Sequence, residues 1–417
     1  KPVEPPTEKP VEPPAEKPVE PPAEKPADPP AEKPVEPPAE KPAEPPADKP
    51  VEPPAEKPAD PPVALPRPNA GGLSLFTPYS LKLSELDSLR SRDEIISRLR
   101  QTGIAADDDI VNQVNAVRQQ VNRTAVLASL PKVAFVLETN QLNKRLGDVR
   151  QLHEEAGLWI KTSHGQADYQ QVHLKHNTLQ LGLDRKQGMH LYGVMGSYTQ
   201  GSGQGDTGLS EKHTTGGIGV YYAMINENGP FIDVIAKYLR TNHTYQMPAN
   251  LRIEGHGAQS TSLLASVQAG WRLNLLNDRA FVEPSVEVVT GYTSAYTLHG
   301  DESSVDVRVN ASTPVYAKIG AAAGLNFQSD EQRGVTLSAG LFRLQNLRRG
   351  GGIDVLNNSV PGDMLSTPMA DDSRYLVNVS LNARLSPNWR FYSQVESSFA
   401  GKLKHDYSGQ IGVRYQF

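Results

Sequence analysis

Few residues of this sequence combine the types and the spacing that enzyme chemistry needs. The stretch HLKH brings His173 and His176 close along the chain, but it lacks the glutamate of a helical zinc motif and lies where the sequence alternates like a strand. The glycine-rich stretch GSGQGDTG at 201–208 follows no buried strand and opens no helix, which favours a flexible loop over a phosphate-binding loop. From these candidates we predict no metal site and no cofactor.

The composition excludes several other kinds of site. The 417 residues contain no cysteine, which excludes disulfides, thiolate catalysis and cysteine zinc sites. The sequence has no Gly-x-Ser-x-Gly motif. Basic residues do not cluster densely enough to neutralise a row of phosphates, so we expect no nucleic-acid partner. The sequence also has no run of ~18 apolar residues that would predict a membrane-spanning helix.

Residues 1–62 form a proline-rich octapeptide repeat related to EKPVEPPA. This segment carries eight lysines against fifteen acidic residues, a net charge of about −7. Such a chain has no core to bury and cannot form helices or sheet ladders. We predict a polyproline II stalk over residues 1–68, with a reach on the order of 190 Å at ~3.1 Å per residue. The alternative is a disordered linker without a length requirement.

Residues 69–132 are predicted to form a hinge followed by helices. We expect a first helix to open on Ser84 and to end at Gly103. A second helix is predicted by valines at helical spacing from Val111 to Val121, and Pro131 should end it. A third, over about 133–153, has little apolar face, which favours wet surroundings.

From about residue 155 to the end of the chain the period changes from 3.6 to 2, which predicts strands. In SRYLVNVSLNARL, for example, Tyr375, Val377 and Val379 alternate with Asn378 and Ser380. About twelve such stretches follow one another. Short turns such as SPN at 386–388 alternate with long loops, which we place at 199–215, 240–260 and 345–372.

Charged and amide side chains stand in the middle of the polar face of these strands. They are Gln268, Arg272, Glu283, Glu287, Lys318, Arg384 and Glu396. A membrane barrel places such residues in a water-filled lumen, while its apolar face contacts lipid between girdles of aromatic residues. Aromatic residues near strand ends fit a girdle: Trp159, Tyr198, Tyr292, Tyr375, Trp389, Phe399 and Phe417. We therefore predict an all-β fold, a closed antiparallel transmembrane barrel in which these charged residues face the lumen.

Three stretches carry a resemblance to a known family. LNKRLGDVRQLHEEAGLW at 142–159 resembles the junction of monomeric autotransporters, where a helix inside the pore leads into the first strand. FVEPSVEVVTGY at 281–292 and the terminal RYQF resemble motifs of the translocator domains of enterobacterial serine-protease autotransporters. The resemblance covers about residues 133–417. It implies a twelve-stranded barrel whose pore is plugged by the helix at about 133–153.

The resemblance also implies a function and partners. Such a domain lies as a monomer in the outer membrane of a Gram-negative bacterium and carries an N-terminal passenger to the cell surface, assisted by the barrel-assembly machinery and periplasmic chaperones. The last strand resembles the signal that this machinery reads, with Ile411, Val413, Tyr415 and Phe417 on one face. Because the sequence begins with Lys1, we expect a piece of a longer protein whose passenger is missing.

Residues for self-cleavage are implied by the same resemblance. In that family the chain is cut in the pore between two adjacent asparagines, the first of which attacks its own backbone carbonyl with help from lumenal carboxylates. Asn140 matches the first asparagine and Glu287 one helper, but Gln141 replaces the second asparagine and Gln268 the other helper. An amide cannot relay a proton as a carboxylate can. We therefore expect a non-enzymatic domain with a tethered passenger, and cleavage at Asn140 is the alternative.

The predicted plug helix is expected to pair with charges of the lumen wall. Its polar residues are Lys144, Arg145, Asp148 and Arg150. We expect their partners to include Arg272 and Glu287.

Two other functions stay open. A free-standing outer-membrane pore or barrel enzyme would have the same strands, but it would not need the polar LNKRLGD helix. A soluble β-rich adhesin on a proline stalk would have to bury the charged residues of the strands, which is costly unless each is paired.

Overall fold

The computed structural model describes the chain from residue 81 onward, with gaps. The described residues are 81–86, 88–103, 107–130, 133, 135, 138, 156–205, 209–246, 258–299, 305–328, 333–358, 360–369 and 372–417. They belong to a compact unit that spans residues 66–417. The predicted stalk over 1–68 and most of the predicted plug helix lie outside the described residues and stay predictions.

Helical segments precede the barrel. A short 3-10 helix covers Leu83–Glu85, α1 covers Arg92–Gln101 and α2 covers Asp108–Ala128. The end of α2 at Ala128 comes before Pro131, which was expected to end it. In the described part of the chain, no helix is long and apolar enough to cross a membrane.

The first predicted helix begins later than expected, because Ser91 and not Ser84 caps it. The Ser91 hydroxyl accepts a hydrogen bond from the Glu94 backbone N–H at 3.2 Å, and the Ser91 N–H donates to the Glu94 carboxylate at 2.8 Å. This reciprocal capping box satisfies two of the free N–H groups at the helix start. The hydrogen bonds from Ser91 also hold the pKa of Glu94 below its ordinary value.

Twelve antiparallel strands close into a barrel, which confirms the predicted fold. They are β1 (Ala156–Tyr169), β2 (Val172–Gln187), β3 (His190–Gln204), β4 (Ser210–Ile225), β5 (Gly229–Gln246), β6 (Ala258–Leu275), β7 (Ala280–Thr293), β10 (Val315–Gln328), β11 (Gly334–Arg348), β14 (Arg374–Arg384), β15 (Trp389–Phe399) and β16 (Leu403–Gln416). The first strand pairs with the last, from Gly157 opposite Gln416 to Tyr169 opposite Leu403. Closure thereby pairs the strand edges that lipid cannot hydrogen-bond.

A second, four-stranded sheet is built from two connections of the barrel. Its strands are β8 (Tyr296–His299), β9 (Val305–Val309), β12 (Gly352–Asn357) and β13 (Met364–Pro368), in the spatial order β13-β12-β9-β8. The predicted long loop at 345–372 therefore contains two strands. The predicted loop at 199–215 is shorter than expected, because the alternation of β3 continues through small residues to Gln204 and β4 starts at Ser210.

The two ends of the barrel differ. Phe417 donates its backbone N–H to the Ala156 carbonyl at 3.1 Å, so the start of β1 and the end of β16 meet at one end, which we name the terminal end. Short connections such as 226–228 and 385–388 lie there. The opposite end, with the connections 294–314 and 349–373, is the loop end.

The helices pack against the four-stranded sheet. α2 contacts β9 and β12, and the 3-10 helix contacts β12 and β13. Their buried apolar side chains belong to one cluster with those of the sheet. We name residues 81–130 together with β8, β9, β12 and β13 the cap. It lies at the loop end, because its strands are the connections of that end.

The two faces of the barrel wall are opposite in polarity. Leu158 and Ile160 point outward and are 47% and 46% exposed, whereas Lys161 of the same strand points into the lumen and is 1% exposed. An apolar exterior of this kind contacts hydrocarbon in a bilayer.

Trp159 is an exception to the predicted aromatic girdle. The other six aromatic residues of that prediction are exposed on the outer face, but Trp159 is fully buried and faces the lumen. The reason is strand parity, since Trp159 has the same parity as Lys161 and side chains two positions apart share a face.

Candidate functional site

The chain enters the barrel lumen from the loop end. Leu130 packs beside Gly203 of β3, where a Cβ atom would lie 2.5 Å from the leucine Cδ1. Phe135 packs beside Gly291 of β7, where a Cβ atom would lie 2.6 Å from the phenylalanine Cζ. Val133, Phe135 and Glu138 are helical and buried. The described residues Leu130, Val133, Phe135 and Glu138, which we name the pore segment, therefore lead from the loop end into the barrel interior.

Glu138 fixes the pore segment to the barrel wall. Its Oε2 lies 2.7 Å from the Nζ of Lys237 on β5, and its Oε1 accepts a hydrogen bond from the Thr199 hydroxyl on β3 at 2.5 Å. All three side chains are buried. Sequence reasoning missed this site, because Lys237 shares its face of β5 with the apolar residues Ile235 and Leu239.

All seven predicted lumen residues lie on the inner face of the wall. Glu287 forms an ion pair with Lys318 of β10 and accepts a hydrogen bond from the Ser266 hydroxyl of β6 at 2.7 Å. Gln268 lies opposite Glu287 in the register of β6 and β7, and its Nε2 donates to the Ser285 hydroxyl at 3.1 Å.

Arg272 also has partners on the wall. Its Nη1 lies 3.4 Å from Glu283 Oε2, and its guanidinium stands 3.5 Å from the centre of the Phe281 ring. The described partners of Glu287 and Arg272 are thus wall residues. The expected partners on the plug helix lie outside the described residues.

Arg384 and Glu396 mark two different parts of the lumen. Arg384 lines a polar cavity of about 410 Å³ at the terminal end, together with Arg272, Arg390 and Asn274. Glu396 is buried in the half of β15 nearer the loop end, opposite Asn378 of β14.

A second lumenal network, at the terminal end, joins the first and last strands. Asp184 of β2 accepts hydrogen bonds from Arg414 Nη1 of β16 at 2.6 Å and from the Tyr221 hydroxyl of β4 at 2.7 Å. Trp159 Nε1 donates to the Tyr221 hydroxyl at 2.7 Å. Between β16 and β2 the arginine passes over Gly157 of β1, where a Cβ atom would overlap the guanidinium. The terminal RYQF shows an arginine at position 414, but the sequence does not show that this arginine pairs with Asp184, 230 residues away.

The terminal residues of the predicted assembly signal share the outer face. Ile411, Tyr415 and Phe417 are exposed and Val413 is partly exposed. The Tyr415 ring centre lies 5.0 Å from that of Trp389 and 6.2 Å from that of Phe417. These rings form part of the aromatic girdle at the terminal end.

The histidine pair does not form one site. His176 is buried on the inner face of β2 and His173 is partly exposed on the outer face, because three positions along a strand reverse the side-chain direction. On the outer face His173 Nδ1 lies 2.9 Å from Asp168 Oδ1.

A hydrogen-bonded chain links the cap to the barrel at the loop end. The Tyr296 hydroxyl of β8 donates to the Ala128 carbonyl at the end of α2, at 3.0 Å. The hydroxyls of Tyr245 and Tyr296 lie 2.9 Å apart. Burial raises the pKa of Tyr296, so the phenol stays neutral and able to donate.

Several predicted site residues lie outside the described residues. They are Asn140, Lys144, Arg145, Asp148 and Arg150. Glu138, two positions before Asn140, is described and lies in the lumen.

Comparison with known proteins adds the family context. Residues 157–396 match the model of the autotransporter beta-domain. The chain is 29% identical over 310 residues to the serine protease EspP of Escherichia coli, which covers 72% of this chain and 23% of that protein. The chain thus spans about a quarter of the length of this curated relative.

Solved structures of low sequence identity share the fold. The beta domain of the Bordetella autotransporter BrkA has a TM-score of 0.53 at 20% identity and covers 63% of this chain and 100% of that structure. The translocator domain of the autotransporter NalP from Neisseria meningitidis has a TM-score of 0.53 at 12% identity and covers 70% of this chain and 99% of that structure.

Proposed function

Since the chain belongs to the autotransporter beta-domain family, we propose that it exports an N-terminal passenger through the outer membrane of a Gram-negative bacterium and anchors it at the cell surface. The observation that carries the proposal is Glu138 in the barrel lumen, bound to Lys237 and Thr199. Leu130 lies at the loop end and β1 starts at the terminal end, so a chain that joins them through the closed barrel would connect the two sides of the membrane.

The length of the pore supports this path. Glu138 lies beside Lys237, and the chain must reach Ala156 at the terminal end. On β5, the stretch from Lys237 to the terminal end at Gly229 measures about 26 Å at ~3.3 Å per residue. The eighteen steps from Glu138 to Ala156 would give about 27 Å in a helix at ~1.5 Å per residue. Because the strands of a barrel are tilted by about 40° to its axis, the β5 stretch rises only about 20 Å, so a helix over these residues would be long enough to reach the terminal end.

The passenger side of the barrel would be the loop end. The chain that precedes the pore segment, including the cap helices and the proline-rich repeat, then lies outside the cell. The stalk would hold a passenger away from the surface, and the acidic charge of the repeat would keep it extended and soluble.

Assembly of the barrel is proposed to need a partner. The outward residues Ile411, Tyr415 and Phe417 at the end of β16 fit a signal read by the barrel-assembly machinery, after delivery by periplasmic chaperones. Because β1 and β16 close the wall, a single chain completes the pore, and we propose a monomer.

A tag at the N-terminus tests export. The chain is expressed in a Gram-negative host with a cleavable secretion signal and an epitope before Lys1, and intact cells are treated with protease. We expect the tag to be removed from intact cells, while the barrel stays resistant and migrates faster on a gel before heating than after heating. A variant without Phe417 serves as control and should lose the folded form. A folded barrel whose tag is protected in intact cells would contradict export.

We further propose that the passenger stays covalently tethered. Glu287 is already engaged by Lys318 and Ser266, and Gln268, which has no carboxylate, stands beside it. A carboxylate in an ion pair is a weaker base, because the cation stabilises its charged form. Neither residue is then suited to assist an attack by Asn140.

The double variant Gln141→Asn with Gln268→Glu tests tethering. The two substitutions restore, at positions 141 and 268, the residues that the resemblance implies for self-cleavage. We expect the unchanged chain to keep the N-terminal tag on the cells, and the double variant to yield a barrel fragment whose first residue is the substituted position 141. A fragment beginning at Gln141 from the unchanged chain would contradict tethering.

A further inference from the structure

The cap consists of segments that lie on both sides of Asn140 in the sequence. Residues 81–130 precede it, and β8, β9, β12 and β13 follow it by more than a hundred residues. Any break of the chain between residues 138 and 156 would separate these two parts covalently. The contacts between them would then decide whether the N-terminal part leaves the barrel.

The two parts of the cap share a continuous apolar core. The helical part contributes fully buried side chains: Leu83, Leu86, Ile95 and Leu99. The sheet contributes a second set that is equally buried: Leu298, Val305, Val307, Val309, Ile353 and Val355. Both sets belong to one cluster of buried residues. Burial of this kind is the main stabilising term of a permanent interface.

Asp363 adds a directional contact between the two parts. This carboxylate, 4% exposed, accepts hydrogen bonds from the backbone N–H of Leu83 at 2.9 Å and of Ser84 at 3.2 Å. The Ser84 hydroxyl lies 3.3 Å from the same group, and Asn357 Nδ2 donates to it at 3.0 Å. An anion that receives free N–H groups at a helix start is stabilised by them and fixes the helix position.

From this topology we infer that the cap is a second, noncovalent anchor for the N-terminal part of the chain. It holds residues before Asn140 to the loop end by packing and by the Asp363 contacts, whether or not the peptide chain is continuous through the pore. The inference rests on the proposed function for its biological meaning, but the binding itself does not depend on export.

A chemical cut in the purified full chain tests the anchor. The sequence has no cysteine, so the variant Gln141→Cys offers a single point for cyanylation and alkaline cleavage. The unfolded chain is cyanylated first, then refolded in detergent, and then cleaved, so that access to the lumen does not limit the reaction. A denaturing gel measures the cut, and size-exclusion chromatography measures how much of the N-terminal piece stays with the barrel.

Two neighbouring residues of β13 provide a matched pair of variants. Leu365 is 5% exposed in the core of the cap, and Met364 is 42% exposed on the other face of the same strand. The variant Leu365→Asp should release the N-terminal piece on the order of a hundredfold faster, because it buries an unpaired carboxylate between the two parts. The variant Met364→Asp should behave like the parent.

A third variant separates the cap from the pore segment. Lys237→Met removes the ion pair of Glu138 and leaves the cap unchanged. The anchor inference expects the cut piece to stay bound in this variant. Heat-modifiable migration confirms in each case that the barrel is folded.

Three results would overturn the inference. The first is immediate separation of the cut pieces in the parent, and the second is equal retention of the N-terminal piece in Leu365→Asp and Met364→Asp. The third is release of the N-terminal piece in Lys237→Met together with its retention in Leu365→Asp. Because the assay uses purified protein, each is distinguishable from a failure of export, which would leave the N-terminal tag inside intact cells.

Discussion

Replacement of Lys237 by methionine tests whether the lumenal ion pair holds the pore segment. Methionine keeps most of the length of the side chain and removes its charge. In the folded protein Lys237 Nζ lies 2.7 Å from Glu138 Oε2, and the two side chains are 0% and 5% exposed. In the variant the Glu138 carboxylate keeps the hydrogen bond from Thr199 and loses its counter-ion.

The expected effect is large because the remaining carboxylate stays buried. Removal of one partner of a buried ion pair costs about 3–5 kcal/mol. At about 1.4 kcal/mol for each factor of ten, the equilibrium between the seated and the displaced pore segment shifts by roughly two to four powers of ten. The double variant Glu138→Gln with Lys237→Met removes both charges, so most of this effect should disappear.

Single-channel recording in planar bilayers measures this equilibrium. We expect the parent to be closed most of the time, the Lys237→Met variant to open far more often, and the double variant to return toward the parent. Lys212→Met, which removes an exposed lysine of β4, is the matched control and should leave the record unchanged.

Two results would refute the reasoning. An open probability of Lys237→Met equal to that of the parent would mean that the ion pair does not hold the segment. A double variant as open as the single variant would mean that the loss of shape, and not the buried charge, displaces the segment.

Two further predictions concern the seam of the barrel and the start of α1. Gly157→Ala should displace Arg414 from Asp184 and lower the temperature at which heat-modifiable migration is lost, whereas Gly409→Ala on β16, with open space around its Cβ position, should not. Ser91→Ala should weaken the start of α1 by ~1 kcal/mol, seen as faster hydrogen exchange of its first amides. Because folding lowers the pKa of Glu94, the contribution of its carboxylate to the stability of α1 is full at pH values above its ordinary pKa and is lost as the pH falls through the lowered value, so the protection of the first amides of α1 in the parent should decrease in acid.

The sequence predicted the barrel well because the period-2 pattern is local and repeats in every strand. The apolar and charged positions of β6, β7 and β14 could be assigned to the outer and inner faces before the strands were paired. Trp159 was misassigned because aromatic character alone does not give the parity of a strand. The charged Lys161, two positions further on, contains the information that corrects it.

The contacts of the site were harder to predict, because they join distant parts of the chain. Glu138 and Lys237 are 99 residues apart, and Arg414 and Asp184 are 230 apart. The sequence shows which side chains face inward, but strand tilt and register decide which of them meet across the lumen. The cap was missed for the same reason. The alternating valines Val305, Val307 and Val309 predict a short strand, but the sequence does not show that α2 packs against it.

Two independent features of the chain favour retention of the passenger. The first is chemical: Gln141 and Gln268 are amides at two positions for which the resemblance implies an asparagine and a carboxylate, and Glu287 forms an ion pair with Lys318. The second is mechanical, since the cap would hold the N-terminal part even after a cut. A chain that releases its passenger from the cell would need neither feature. Either feature would serve a chain with a proline-rich spacer next to its anchor, because a spacer sets a distance from the cell only while one of its ends stays attached.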